Sequence, residues 1–187
     1  MSDLRIAVII GSTRQGRVGP QVAEWVLEQA KGREASYELV DLKEEALPLF
    51  DAPIPPAYGQ YPDQATKDWA AKIAQYDGFI FVTPEYNHSI PGSLKNAIDL
   101  IYGEWNNKSA GIVGYGSLGG GRAIEHLRGI AAELQIADVR QTVTFSLFTD
   151  FKEFSEFTPG PQHADSAKTM FDQTEAWAKA LKPLHTN

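Results

Sequence analysis

The sequence predicts an α/β protein in which a five-stranded parallel sheet is covered by helices on both faces. Three observations carry that expectation. Short apolar runs alternate along the chain with longer stretches whose apolar residues recur at i, i+3 and i+4. The first of the short runs is continuous rather than alternating, as a strand buried on both faces requires. The chain has 187 residues, 43% of them hydrophobic, enough for one domain spanning 1–187 with its own core.

The elements follow in order. Ile6-Ala7-Val8-Ile9-Ile10 is an apolar, mostly β-branched run that stops at Gly11, a strand rather than the apolar segment of a secretion signal. After Gly19, residues Val22, Trp25, Val26 and Ala30 share a helical face, and Gly32 suits the helix end. Tyr37 to Val40 reads as a second strand. A loop follows with Pro48, Pro53, Pro55, Pro56 and Pro62, and with Phe50, Ile54, Tyr58 and Tyr61 among them. Its length and aromatics suggest a functional or interface loop. Trp69, Ala70, Ile73 and Tyr76 mark the next helix, and Gly78 to Thr83 a third strand stopped by Pro84.

Leu94, Ala97, Ile98 and Ile101 mark a third helix, and Ser109 to Tyr115 a fourth strand. Ala123, Leu127, Ile130, Ala131 and Leu134 give a fourth helix, and Asp138 to Phe145 a fifth strand. Ala167, Met170, Phe171, Thr174, Trp177, Ala178 and Leu181 make a final helix. The stretch from Thr149 to Pro161 is irregular, and its three phenylalanines are expected on the sheet edge or on a partner subunit. Two strand orders satisfy this pattern, flavodoxin-like and truncated Rossmann. Both place ligands beyond the carboxyl ends of the strands.

Composition narrows the function. With no cysteine, disulfides, thiolate metal sites and cysteine nucleophiles are excluded. A net charge of −7 argues against general nucleic-acid binding. No apolar run reaches the roughly 20 residues of a membrane span, so a cytoplasmic location is expected. Four histidines with no H-E-x-x-H pairing make a metal site improbable.

Gly11-Ser12-Thr13-Arg14-Gln15-Gly16-Arg17-Val18-Gly19 joins the first strand to the first helix. A loop entering a helix offers free N–H groups and the positive end of the dipole, which together bind phosphate. Ser12 and Thr13 add hydroxyls, Arg14 and Arg17 cations. The spacing resembles half of a nucleotide-triphosphate loop, but Arg17 stands where the lysine would be and Val18 where the magnesium-holding hydroxyl would be. A phosphate monoester held without metal fits better. The bland alternative is an ordinary strand-to-helix turn with solvated arginines.

The third strand runs into Pro84-Glu85-Tyr86-Asn87-His88-Ser89-Ile90-Pro91-Gly92-Ser93-Leu94-Lys95-Asn96-Ala97-Ile98-Asp99. This long match, with Gly11-Ser12-x-Arg14 and Gly114-Tyr115-Gly116-Ser117-x-Gly119-Gly120, resembles the NADPH-dependent FMN reductase family of quinone, azo-dye and chromate reductases. The resemblance implies a flavodoxin-like sheet of order 2-1-3-4-5 and a homodimer or homotetramer. It implies FMN as bound cofactor and NADPH or NADH as donor, with electrons passed to a small acceptor by ping-pong exchange at one site. Carried over residue by residue, Ser12, Arg14, Gln15 and Arg17 would hold the FMN phosphate. Pro84, Glu85, Tyr86 and Asn87, with Ser89, would hold the isoalloxazine and ribityl portions. Tyr115, Gly116, Ser117 and Gly119 would line the far side of the ring. No catalytic side chain is expected, because the cofactor carries the chemistry. Two other classes share the pocket: a flavodoxin-type electron carrier, and a quinone or nucleotide sensor without turnover.

The remaining residues carry smaller expectations. The run Gly114 to Gly121 has five glycines in eight residues, which points to ligand approach, special backbone angles or plain flexibility. His88 is expected at a solvent-facing position, with substrate contact as the alternative. Lys95 and Asp99 are spaced for an ion pair. Trp69 and Trp177 are expected in the core. Trp105 is expected at an interface or active site.

Overall fold

The computed structural model describes residues 4–185. In chain order the elements are β1 (Arg5–Ile10), α1 (Gly19–Gln29), β2 (Ser36–Asp41), α2 (Gln64–Ala74), β3 (Gly78–Pro84) and α3 (Gly92–Asp99). These are followed by β4 (Ser109–Gly116), α4 (Gly121–Glu133), β5 (Ala137–Ser146), a hairpin of β6 (Phe151–Lys152) and β7 (Glu156–Phe157), and α5 (His163–Leu181). The main sheet is parallel throughout, with order β2-β1-β3-β4-β5. That is the flavodoxin-like arrangement.

Strand pleating divides the core in two. Ala7 and Ile9 of β1 and Phe79 and Phe81 of β3 face α2, α3 and α4, where Trp69, Ile73, Leu94, Ile98 and Leu127 meet them. Ile6, Val8 and Ile10, with Ile80 and Val82, face α1 and α5 and pack on Val22, Val26, Met170 and Phe171. Continuous apolar runs are thus explained, since successive residues enter different cores. At Gly111 a Cβ would sit 2.8 Å from Ile80 Cδ1 and from Met170 Cγ, so glycine lets α5 lie close on β4.

Two tryptophans depart from expectation. Trp105 is a core residue, 1% exposed. A short 3-10 turn over Gly103–Trp105 folds the chain back after α3, and the indole packs edge-on against Phe79 at 5.0 Å and Trp69 at 6.1 Å. Trp177 is instead 50% exposed. Thr174 and Ala178 occupy the buried line of α5, and a 19-residue helix on one sheet face needs a stripe narrower than the sequence pattern suggests.

The 149–161 segment forms the β6–β7 hairpin on the sheet edge. Phe157 lies 4.8 Å from Phe145 and 5.0 Å from Phe151, while Phe154 stays exposed beside Phe148. Lys95 and Asp99 form the expected ion pair at 2.5 Å. The proline-rich loop is tied to α3 by Asn96, whose side chain donates to Pro48 O at 2.8 Å and accepts from the Phe50 N–H at 2.9 Å.

At the amino end of the sheet, Lys108 is almost fully buried. Its Nζ donates to Ile73 O at 2.7 Å, at the carboxyl end of α2, and lies over the Phe79 ring. Burial pulls its ammonium down to about 8, against the raising influence of Asp77 and Glu104. The unfolded chain keeps that proton to 10.5, so the unfolded state binds more protons between about 8 and 10.5 and stability rises with pH across that window. Melting temperatures of wild type and Lys108→Met therefore diverge in favour of wild type from pH 8 to pH 10. A constant difference over that range contradicts the assignment.

Candidate functional site

Because the sheet is parallel, β1, β3 and β4 end at one edge, and the loops after them meet there. The first loop leaves β1 at Gly11, whose N–H donates to Val82 O at 2.9 Å and whose carbonyl accepts from Ser93 Oγ at 2.7 Å. A Cβ at Gly11 would sit 3.0 Å from Leu94 Cδ2. The loop is thereby pinned to the start of α3. It closes with a turn from Arg14 to Arg17 in which Gly16 takes a φ of 69°, a left-handed conformation that suits glycine.

α1 then begins with no side chain capping its amino end, and Pro20 stands in its first turn. Its first N–H groups point at whatever sits before the helix. Three hydroxyls gather beside it. Ser12 is fully buried, and its Oγ lies 2.7 Å from Tyr86 Oη. Arg14 Nε donates to the same Tyr86 oxygen at 3.2 Å. Tyr115 reaches the place from β4: a Cβ at Gly19 would sit 2.9 Å from its Oη, so only glycine admits it. The Tyr115 hydroxyl is buried and has no hydrogen-bond partner among the described residues. Burial pushes its pKa up, so it stays a donor, within electrostatic reach of Arg14 and Arg17. A buried hydroxyl without a partner costs about 1–3 kcal/mol. A phosphate monoester seated at the α1 terminus would supply the missing acceptor, and in that sense these residues fit the phosphate of FMN.

Arg17 behaves differently from the expected free ligand. Its guanidinium makes a two-pronged pair with Asp41 at 2.6 and 2.5 Å and also donates to Ser12 O at 2.6 Å. It shapes the loop from behind and anchors it to the end of β2. Gln15 is exposed at the turn tip.

In the second loop, Pro84 ends β3 opposite Tyr115, and the Glu85 N–H donates to Tyr115 O at 3.0 Å. Tyr86 and Ser89 exchange backbone hydrogen bonds at 2.9 and 3.1 Å, making a two-residue turn of Asn87 and His88. The Glu85 side chain is directed at α4. One carboxylate oxygen accepts the Arg122 N–H at 3.1 Å and the other pairs with the Arg122 guanidinium. Burial alone would raise the Glu85 pKa, but the bonds from Arg122 outweigh it and hold the carboxyl below its usual range.

Arg122 was not singled out from sequence, although a signal existed. A cation in the first turn of a helix opposes the dipole and calls for an acidic partner. His126 Nδ1 lies 2.9 Å from Ser89 Oγ, completing a belt between the second loop and α4.

The third loop explains its glycines from within. Gly119 and Gly120 have φ of 69° and 76°. A Cβ at Gly120 would come 2.7 Å from the Tyr115 nitrogen, and one at Gly114 would come 2.9 Å from Gly119 O. Gly116 faces Glu85, and Ser117 and Leu118 are exposed at the tip. Ser12, Arg14, Tyr86, Tyr115 and the start of α1 thus converge, while Pro84, Glu85, Asn87, Ser89, Gly116, Ser117 and Gly119 lie in or beside the second and third loops at the same sheet edge.

The unpartnered hydroxyl makes a prediction of two opposite effects. Tyr115→Phe removes a buried polar atom that nothing among the described residues satisfies, so the FMN-free protein melts at the same temperature or higher. The variant also loses one charge-assisted bond to phosphate, so its FMN Kd rises about tenfold or more. Calorimetry and fluorescence titration check both, and an unchanged Kd contradicts the placement.

Known proteins resemble the chain in sequence and in fold. The family model for NADPH-dependent FMN reductase matches residues 4–150. An NAD(P)H-dependent FMN reductase of a Nectria species is 36% identical over 188 residues, covering 95% of this chain and 89% of the relative. A quinone reductase of Escherichia coli is 37% identical over 134 residues, 68% of this chain and 69% of the relative. Among solved structures, the NAD(P)H:(acceptor) oxidoreductase FerB of Paracoccus denitrificans shares the fold with a TM-score of 0.74 at 22% identity, over 95% of this chain and 98% of that one. The chain belongs to the NADPH-dependent FMN reductase family.

Proposed function

We propose that the chain is an oxidoreductase that binds FMN, accepts a hydride equivalent from NADPH or NADH, and delivers the electrons to a small acceptor. Donor and acceptor occupy one place in turn. The observation that carries this reading is the buried Tyr115 hydroxyl, unpartnered and facing the uncapped start of α1. A quinone is the acceptor favoured by the name of the Escherichia coli relative. Azo compounds, chromate and free flavin suit the same open site.

FMN supplies the hydride and electron chemistry when bound. The chain's own residues bind and orient it. Tyr115, Ser12, Arg14 and the amides of α1 hold the phosphate, and Gln15 closes over it. Arg17 acts one step back, keeping the loop in shape through Asp41. Tyr86 offers an aromatic surface and a hydroxyl already oriented by Ser12. The backbone of Pro84 to Asn87, with Ser89, contacts the ring and ribityl chain, and Gly116, Ser117 and Gly119 close the far side. Glu85, held ionised by Arg122, fixes the distance between the second and third loops and donates no proton.

The reading extends to a cytoplasmic homodimer or homotetramer without nucleic-acid or membrane partners. The net charge of −7 supports the former exclusion. No helix among the described residues is long and apolar enough to cross a membrane. A groove of about 610 Å³ between α3 and α4, lined by Ile98, Ile130 and Leu134 among others, offers a face for a second copy.

Purified protein is expected to be yellow or to become so with one equivalent of FMN. Anaerobic NADPH then bleaches it stoichiometrically, and added quinone restores the colour. A colourless protein whose spectrum FMN does not perturb contradicts the reading. Sedimentation is expected to show two or four chains per particle; a monomer contradicts the oligomeric part.

A further inference from the structure

The turn between β3 and α3 has an uncommon backbone. Asn87 and His88 are its two central residues, and both are left-handed, with φ of 48° and 73°. Turns of this hand favour asparagine first and glycine second. Histidine in the glycine place is strained, and such strain concentrates where a side chain is needed. The imidazole is also held. Arg122 Nη1 lies 3.3 Å from His88 Nδ1. A guanidinium only donates, so Nδ1 accepts and the ring proton resides on Nε2. Arg122 is itself fixed by Glu85, through both its backbone N–H and its guanidinium. The His126 ring flanks His88 at 5.8 Å, its own Nδ1 engaged by Ser89. What remains is an exposed Nε2–H, oriented from behind, at the rim where the second and third loops face each other.

We propose that His88 determines acceptor specificity by donating a hydrogen bond from Nε2 to the quinone oxygen that becomes negative on reduction. This rests on the oxidoreductase reading above. The balance is simple. NAD(P)H, oxidised to NAD(P)+, provides the hydride equivalent, which leaves the quinone as a hydroquinone with one oxygen anionic. Water then supplies the last proton. The histidine keeps its own proton throughout and acts as a fixed donor, aimed before charge develops and needing no reorganisation when it does. Acceptors with no carbonyl oxygen gain nothing from it.

The test uses FMN-saturated protein and the variants His88→Gly and His88→Gln. Glycine relieves the left-handed strain, so FMN-free His88→Gly melts above wild type. Bleaching by NADPH, which involves no quinone oxygen, changes within about twofold, whereas reoxidation by 1,4-benzoquinone slows about tenfold. Reoxidation by ferricyanide, which has no carbonyl oxygen, follows wild type. Glutamine keeps an N–H donor at similar reach and recovers most of the benzoquinone rate. An unchanged benzoquinone rate in His88→Gly overturns the proposal, as does equal slowing with both acceptors. If NADPH fails to bleach wild type, the oxidoreductase reading falls and this proposal with it. If wild type bleaches normally, only the proposal is at stake.

Discussion

Ser12 and Tyr86 are 74 residues apart in the chain, and their hydroxyls lie 2.7 Å apart at the site. That contact exists because β1 and β3 are parallel neighbours, Ile10 beside Val82, so that their loops leave the sheet side by side. Strands buried on both faces cannot shift register without moving two cores at once. The site inherits that rigidity. Tyr115 is placed by the same logic, since β4 pairs with β3 up to Pro84 and carries the ring under the start of α1. Three loops far apart in sequence therefore present their polar atoms to one small volume.

Around that volume, several charged residues serve the scaffold. Arg17 is spent on Asp41 and Ser12 O, and Glu85 on Arg122. Asn96 holds the proline-rich loop, and Ser93 holds Gly11. These residues lie inside or beside the motifs by which the family is recognised, so much of the motif specifies architecture. What it leaves free is narrow: the Tyr115 hydroxyl and the first N–H groups of α1, with the Arg14 guanidinium, exposed beside them, held by Tyr86 and by the carbonyls of Gln15 and Gly16. A preorganised site of this kind loses little on ordering its ligand, because the loops are already fixed.

The sheet was legible because its central runs, Ile6 to Ile10 and Gly78 to Thr83, are apolar and stopped by glycine or proline, which admits few other readings. The strand order needed the resemblance, since periodicity alone left two orders open. The phosphate loop was legible from its place before a helix. The role of Arg17 was not, because nothing in local sequence says that Asp41 lies at the end of the neighbouring strand. The pairing of Glu85 with Arg122 was hidden for the same reason: it spans the whole crossover through α3 and β4. Trp105 was misplaced because a 3-10 turn reverses the chain after α3. Trp177 was misplaced because a helix packed on one sheet buries a narrower stripe than its pattern offers. In the glycine-rich third loop, the backbone angles of Gly119 and Gly120 and the close approaches to Tyr115 and Gly114 show that special conformations alone require part of its glycine.

In the function proposed above, the first loop, the start of α1 and the Tyr115 hydroxyl form a metal-free site for a phosphate monoester, and this site anchors the flavin. Comparing the affinities of FMN and riboflavin in the presence of a chelator isolates the phosphate from the ring. Two or more charge-assisted bonds at a helix terminus predict that FMN binds at least about a hundredfold tighter than riboflavin, with inorganic phosphate competing only against FMN. Equal affinities for FMN and riboflavin would contradict the account.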